Sequence, residues 1–117
     1  MIMDQTKDNL LTWSEFERVD MRVGKIIEVL DFPEARTPSY KLILDFGELG
    51  IKKSCAQITN YKHRDLVGRQ IVAVVNFPAK QIGPNLSEVL ILGAVNSDGV
   101  VTILSPETNC VLGSKIA

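Results

Sequence analysis

The sequence predicts a small all-β fold in which five strands close a barrel, with a short N-terminal helix before it and a C-terminal extension after it. Three observations predict this class. From Met21 onward, β-branched and aliphatic runs alternate with turn-forming residues. The 117 residues suffice for one domain and leave no room for a second. A composition of 45% hydrophobic and 23% charged residues is typical of an ordinary globular protein.

The helix is predicted at TWSEFERV, immediately before the first strand. Thr12 supplies an N-cap hydroxyl, and Glu15 follows three residues later, as a capping box requires. Trp13, Phe16 and Val19 share one face of this helix, and packing of that face on the barrel is its simplest interpretation.

The strands follow in an order that suggests a particular barrel. They are predicted at residues 21–31, 40–47, 51–58, 69–77 and 88–95, and a turn at NSDG favours a hairpin into 100–104. Gly24 marks a predicted bulge or bend in the first strand. A helical turn within NYKHRDLVGR ends at Gly68, PAKQIGPNLS is predicted as a loop, and the doubly apolar run 69–77 is placed centrally. Three strands, a helical turn and two more strands are the element order of an OB-fold barrel.

Basic charge is concentrated in the middle of the chain. Residues 50–80 carry six basic side chains against Asp65 alone, a net charge of +5, whereas residues 1–49 and 81–117 have net charges of −4 and −2. Such a segment is either a patch that attracts phosphate or one solvated edge of the sheet.

The chain has no pattern typical of catalysis, since GxSxG, GxxxxGKS/T, HExxH and GxGxxG are all absent. His63 is expected to be a solvated residue at a helix start. Cys55 and Cys110 are expected to be buried or half-buried residues without a disulfide. We therefore expect a protein that is not an enzyme and needs no metal and no cofactor.

The N-terminal segment, residues 1–11, precedes the predicted domain at residues 12–117. The first thirteen residues lack a basic region followed by an apolar stretch, so no signal peptide is expected. The longest apolar run, residues 71–75, is too short to span a bilayer. These features predict a cytoplasmic protein without membrane insertion.

Four stretches of the sequence together resemble a known family. They are FPEARTPSYKLILDFG (32–47), IKKSCAQIT (51–59), VGRQIVAVVNFP (67–78) and SEVLILGAV (87–95). They are similar to the tRNA-binding domain of the OB-fold class, which occurs free-standing and at the C-terminus of some methionyl-tRNA synthetases. Within that class the pattern resembles the CsaA-like proteins, which are described as secretion-related chaperones.

The resemblance covers roughly residues 14–117 and implies a homodimer paired through extensions beyond the barrel. The interface residues would be Trp13, Phe16, Val111 and Leu112. The alternative is that these side chains only cap one barrel.

For RNA, the resemblance and the central charge point to one set of candidate residues. These are Lys52, Lys53, Asn76, Lys80, Ser87 and Glu88. Lys52 and Lys53 are adjacent on a strand and so point to opposite faces. Asn76 either reads a base edge or satisfies the backbone of a loop. Where many relatives carry two adjacent basic residues, this chain has Ala79, Lys80 and Gln81, which predicts weaker RNA binding and a flatter salt dependence.

Polypeptide binding would need an exposed apolar groove with polar anchors. The candidates are Phe32, Pro33, Arg36, Ser54, Gln57, Phe77, Pro78 and Ile82. The loop side chains among them either line such a groove or seal the ends of the barrel. Ser54 and Gln57 either bind a ligand or pair within the sheet.

The function expected from these features is that of a non-enzymatic, CsaA-like protein-export chaperone that binds unfolded or preprotein segments and tRNA. The alternative is a dedicated tRNA-binding module that assists aminoacylation or tRNA handling without chaperone activity.

Overall fold

The structure, a computed structural model, describes residues 9–117, so most of the predicted N-terminal segment 1–11 lies outside the described residues. Its elements are α1 (Trp13–Glu17), β1 (Met21–Asp31), β2 (Tyr40–Asp45), a 3₁₀ turn (Gly47–Leu49), β3 (Ile51–Ala56), α2 (His63–Leu66), β4 (Gln70–Val74), β5 (Lys80–Ile82), β6 (Asn85–Ser87), β7 (Leu90–Ile91), β8 (Gly93–Val95) and β9 (Val101–Ile103). The predicted all-β class with one short N-terminal helix is confirmed.

Five strands form an antiparallel sheet in the order β3-β2-β1-β4-β7, which curls into a nearly closed barrel. β1 belongs to both halves of the curl, because its first residues pair with β4 and its last residues pair with β2. Lys25 lies opposite both Gln70 and Asp45. β4 is paired along both edges, with β1 and with β7, as its predicted central placement requires.

The alternation predicted for β2 fills the barrel with apolar side chains. Tyr40, Leu42, Leu44 and Phe46 are all buried, and they pack with Ile26, Ile71 and other buried residues in one core. Burial of such side chains is the main source of stability in a domain of this size.

No bulge lies at Gly24, where the sequence predicted a bulge or a bend. The pairing of Gly24 with Ile71 is regular, and the register of β1 shifts instead between Ile26 and Glu28. Gly24 serves close packing, because a Cβ atom there would lie 2.6 Å from the ring of Phe46. The glycine in this strand therefore marks a close approach of the backbone to a core ring and not a bulge.

The region after β4 differs most from the prediction. The stretch predicted as a loop contains the hairpin of β5 and β6, in which Ile82 pairs with Asn85. Gly83 has a φ of +56° and forms the tight turn together with Pro84, where no main-chain donor is needed. The strand predicted at 88–95 is split at Leu92 into β7 and β8, because β7 pairs with β4 whereas β8 pairs with β9. The predicted turn at NSDG does join β8 to β9.

Helix α1 begins with the predicted capping box. Thr12 Oγ1 accepts a hydrogen bond from the Glu15 N–H at 3.2 Å, and Glu15 Oε1 accepts one from the Thr12 N–H at 2.8 Å. The bonds from Thr12 lower the pKa of the Glu15 carboxyl. The expected packing of α1 on the barrel is wrong, because none of its residues is buried. The barrel core is already filled by side chains of the strands, of α2 and of residues next to the strands.

The C-terminal extension, residues 105–117, runs along the free edge of β1. Main-chain hydrogen bonds join Val23 to Gly113 and Ser114 and join Met21 to Ile116. The extension therefore occupies the edge of β1 that β2 leaves unpaired.

Candidate ligand-binding surface

One groove brings together residues that the sequence suggested for two different ligands. It has a volume of about 210 Å³ and is lined by Phe77, Pro78, Lys80, Ser87, Glu88, Val89 and Leu90. We call it the hairpin groove, because the β5–β6 hairpin contributes Lys80 and Ser87. Its apolar wall is open to solvent, with Phe77 55% and Leu90 50% exposed. The lining of the groove thus includes both an aromatic side chain and a lysine.

A second groove, of about 140 Å³, lies on the outer face of β2 and β3. It is lined by Leu30, Lys41, Leu42, Ile43, Lys53, Ser54, Cys55, Asn85 and Leu86, and we call it the sheet groove. Lys53 is exposed here, whereas its neighbour Lys52 is half-buried and does not line the groove. Burial raises the pKa of the Cys55 thiol, and the nearby charge of Lys41 partly offsets this effect.

Ser87, Glu88 and Ser54 use their side chains to close the barrel. Cys55 N–H donates to Ser87 Oγ at 3.1 Å, and Lys53 N–H donates to Glu88 Oε1 at 2.9 Å. Ser54 is buried, and its Oγ donates to the Val89 carbonyl at 2.8 Å. Of the two roles considered for Ser54, the structure shows the one within the fold.

Asn76 likewise bonds to the protein itself. Its Oδ1 accepts from the Asp20 N–H at 3.0 Å, and its Nδ2 donates to the Arg18 carbonyl at 2.6 Å. Both functional groups of the amide therefore satisfy backbone between α1 and β1, which was one of the two roles considered for this residue.

The remaining polypeptide-binding candidates do not form one site. Phe32 is only 4% exposed and lies near Gly83, at the tip of the hairpin. Together with Pro33 and Arg36, it lines a separate pocket of about 360 Å³ beside Tyr40 and Thr59. Gln57 is exposed and Ile82 is half-buried, and neither lines the hairpin groove.

The residues expected at a dimer interface line two separate pockets, each of which also includes residues of the C-terminal extension. Trp13 and Phe16 line a pocket of about 250 Å³ together with Ile116. Val111 and Leu112 line another, of about 500 Å³, beside the turn that follows β2. Trp13 and Val111 are 71% and 83% exposed, so both present apolar surface to solvent.

The structure also shows the surroundings of His63, Cys55 and Cys110, for which the sequence predicts no binding role. His63 starts α2, as expected, and its Nε2 lies 2.9 Å from Asp31 Oδ1. Cys55 and Cys110 are free. Cys55 is half-buried, whereas Cys110 is exposed, so the expectation of a buried or half-buried residue is wrong for Cys110. It lies in the C-terminal extension, outside the barrel core.

Among residues 9–117, no three metal-binding side chains cluster. No helix in the described part of the chain has both the length and the apolar character needed to cross a bilayer.

Lys41 and Leu90 line the grooves but were missed from the sequence. Lys41 could have been found, because β2 alternation places it outside the barrel and antiparallel pairing sets it opposite Cys55. Leu90 could not, since its exposure depends on the break between β7 and β8.

Residues 21–115 match the family model described as "Putative tRNA binding domain". Among solved structures, the CsaA chaperone protein of Picrophilus torridus is 51% identical, with a TM-score of 0.87, over 92% of this chain and 100% of that one. The chaperone CsaA of Bacillus anthracis is 46% identical, with a TM-score of 0.88, over 92% of this chain and 99% of that one.

A sequence relative of another kind is the methionine–tRNA ligase of Methanocaldococcus jannaschii, which is 35% identical over 104 residues. The match covers 88% of this chain but only 16% of the ligase. The chain therefore spans about a sixth of the length of the curated relatives that it matches. The predicted OB-fold barrel is confirmed by its likeness to the solved structures.

Proposed function

The chain belongs to the tRNA-binding domain family, and on this premise we propose that it is a non-enzymatic, CsaA-like export chaperone of the cytoplasm. It binds unfolded or preprotein segments and tRNA reversibly, without a cofactor. The observation that carries the proposal is the hairpin groove, where exposed apolar side chains stand beside a lysine.

The apolar wall of the groove favours an extended polypeptide. Exposed apolar side chains that lie together usually mark an interaction site. Phe77 and Leu90 in the hairpin groove, with Leu86 in the neighbouring sheet groove, offer such a surface. An unfolded segment can bury its own apolar side chains there, and this requires no nucleotide or other energy source.

The lysines favour tRNA as a second ligand. Lys53 and Lys80 are exposed, and Lys41 shares the sheet groove with Lys53. OB-folds bind oligonucleotides on the face of their second and third strands and on the adjoining loops. Neutralising phosphates with lysine supplies most of such affinity. Because Ala79 and Gln81 flank Lys80, the expected affinity is modest.

The family match also supports an alternative, a dedicated tRNA-binding module without chaperone activity.

A homodimer paired through the exposed side chains of α1 and the C-terminal extension is part of either proposal, because two copies of a weak site gain avidity when one ligand reaches both.

One experiment separates the two ligands. Purified protein is titrated with tRNA at several salt concentrations and, in parallel, with a permanently unfolded polypeptide. Lys53→Glu combined with Lys80→Glu is expected to weaken tRNA binding by at least tenfold and to flatten the salt dependence by about two units of slope, because two phosphate contacts are lost. Polypeptide binding is expected to change little.

The matched control reverses the charge of Lys25 and Lys62, two exposed lysines that line neither groove. It alters the net charge equally and is expected to leave most of the tRNA affinity intact. Equal losses in both double variants would show that net charge, and not the groove, governs tRNA binding.

The reciprocal arm uses Phe77→Ser, which is expected to weaken polypeptide binding several-fold while the thermal midpoint stays nearly constant, since the ring is exposed. Val95→Ser removes an exposed apolar side chain that lines neither groove and serves as its control. If tRNA binds with a steep salt slope and polypeptide does not bind, the alternative replaces the proposal.

A further inference from the structure

At the seam of the barrel, side chains accept hydrogen bonds that main-chain carbonyls accept elsewhere in a sheet. Every second residue of an edge strand turns its N–H and C=O away from its neighbour. On β3 these residues are Lys53 and Cys55, whose N–H groups donate to Glu88 Oε1 at 2.9 Å and to Ser87 Oγ at 3.1 Å. The Lys53 carbonyl accepts from the Glu88 N–H at 2.8 Å.

We propose that Ser87 and Glu88 are positioning residues, a side-chain clasp that holds the β5–β6 hairpin against β3 and so sets the shape of the hairpin groove. The inference rests on the proposed function, because it takes that groove to be the ligand site. It differs from the role that the sequence suggested, in which both side chains contact RNA directly.

The hairpin depends on such a clasp because few hydrogen bonds join it to the barrel, although β6 also packs against β3. β5 and β6 pair with each other and with no strand of the five-stranded sheet. Among residues 9–117, the Cys55 to Ser87 bond is the one hydrogen bond from the hairpin to β3, and Glu88 follows the hairpin directly. Loss of these bonds would free the hairpin to move as a unit.

Movement of the hairpin would change the groove directly. Lys80 lies opposite Ser87 in the hairpin, so the ammonium group moves with the clasp. Phe77 and Leu90 flank the hairpin in the sequence, on either side of it. The clasp thereby fixes the separation between the charged and the apolar parts of the site.

The chemistry of the two side chains argues against direct RNA contact. Ser87 Oγ already accepts from Cys55 and also lies 3.5 Å from the Val89 carbonyl. Glu88 uses Oε1 for Lys53, and a carboxylate repels phosphate. Both side chains therefore have a role as hydrogen-bond acceptors within the protein, and neither role requires a ligand.

The test compares variants that delete the acceptor with variants that keep it. Ser87→Ala and Glu88→Ala remove the oxygens, whereas Ser87→Thr and Glu88→Gln retain one in place. Amide exchange of Cys55 and Lys53 is measured residue by residue by NMR on the full chain, and affinity for the unfolded polypeptide is measured alongside.

We expect Ser87→Ala to speed exchange at Cys55 about 3- to 10-fold, and Glu88→Ala to do the same at Lys53, as loss of one hydrogen bond implies. Both should weaken polypeptide binding several-fold, and Thr or Gln should restore exchange and binding together. Should Ser87→Ala unfold the protein, Glu88→Ala carries the test, because its acceptor serves a different amide.

The proposal is overturned if both alanine variants leave the two exchange rates unchanged. It is equally overturned if Glu88→Gln changes tRNA affinity as much as Glu88→Ala while Lys53 exchange stays normal, since this is the pattern of direct contact. If the wild-type protein binds neither ligand, the proposed function fails, whereas the exchange rates still report on the clasp.

Discussion

Gly24 shows how one residue constrains the packing of the barrel. A Cβ atom at this position would lie 2.6 Å from Cε1 of Phe46, which is itself fully buried. Gly24→Ala must therefore displace a core ring, and overpacking of this kind costs about 1–3 kcal/mol. We expect the free energy of unfolding, measured with denaturant, to fall by that amount.

A double-mutant cycle tests the cause at the same scale. Phe46→Leu removes the ring that the new methyl group would strike, at its own cost of a lost core contact. If the clash explains the effect, Gly24→Ala combined with Phe46→Leu loses less stability than the sum of the single variants. Strict additivity would show that the methyl group is excluded for another reason.

At the scale of elements, the side chain of Asn76, which follows β4, holds helix α1 in place. A five-residue helix has little stability of its own, even with a capping box. Asn76 bonds to Arg18 and Asp20, and the Val75 N–H donates to the Asp20 carbonyl. We expect Asn76→Ala to cost about 1–2 kcal/mol of stability and to speed amide exchange at Asp20.

The control for this variant is Asn109→Ala, which removes an exposed amide from the C-terminal extension. It should leave stability within about 0.5 kcal/mol and Asp20 exchange unchanged. If Asn76→Ala behaves like Asn109→Ala, the α1 junction does not depend on the Asn76 amide.

The same elements show what the sequence could predict. β1 and β2 were found because their alternation encodes burial locally. The β5–β6 hairpin was missed because Gly83 and Pro84 indicate an interruption, whereas here they form the turn between two paired strands. The break between β7 and β8 is set by a change of partner strand, which no local pattern encodes.

The candidate site divides in the same way. Phe77, Lys53 and Lys80 were predicted because residue type and approximate exposure suffice to suggest an apolar or phosphate contact. The bonds of Asn76, Ser87 and Glu88 join residues 32 to 58 positions apart. Such partners are defined only once the barrel has closed, so composition and spacing could not distinguish an internal acceptor from a ligand contact.

At the scale of the whole molecule, the most exposed apolar side chains among residues 9–117 lie outside both grooves. Trp13 in α1 and Val111 in the C-terminal extension are exposed, whereas the core is built from other apolar residues. A twofold interface would bury each of them twice, once per copy. Since burying one large apolar side chain contributes about 1.5–3 kcal/mol, these positions can dominate the stability of the proposed homodimer.

Trp13→Ser combined with Val111→Ser is therefore expected to weaken self-association at least 100-fold, as measured by sedimentation equilibrium over a range of protein concentrations. The thermal midpoint of the barrel, extrapolated to low concentration, should change little, because neither side chain belongs to the core.

Val95→Ser, which removes an apolar side chain of 69% exposure far from α1 in the sequence, should leave self-association intact. A double variant that associates like the wild type, or a wild type that is monomeric at micromolar concentration, would contradict the proposed interface. Loss of association should also lower tRNA affinity, because a monomer forfeits the avidity of two linked sites.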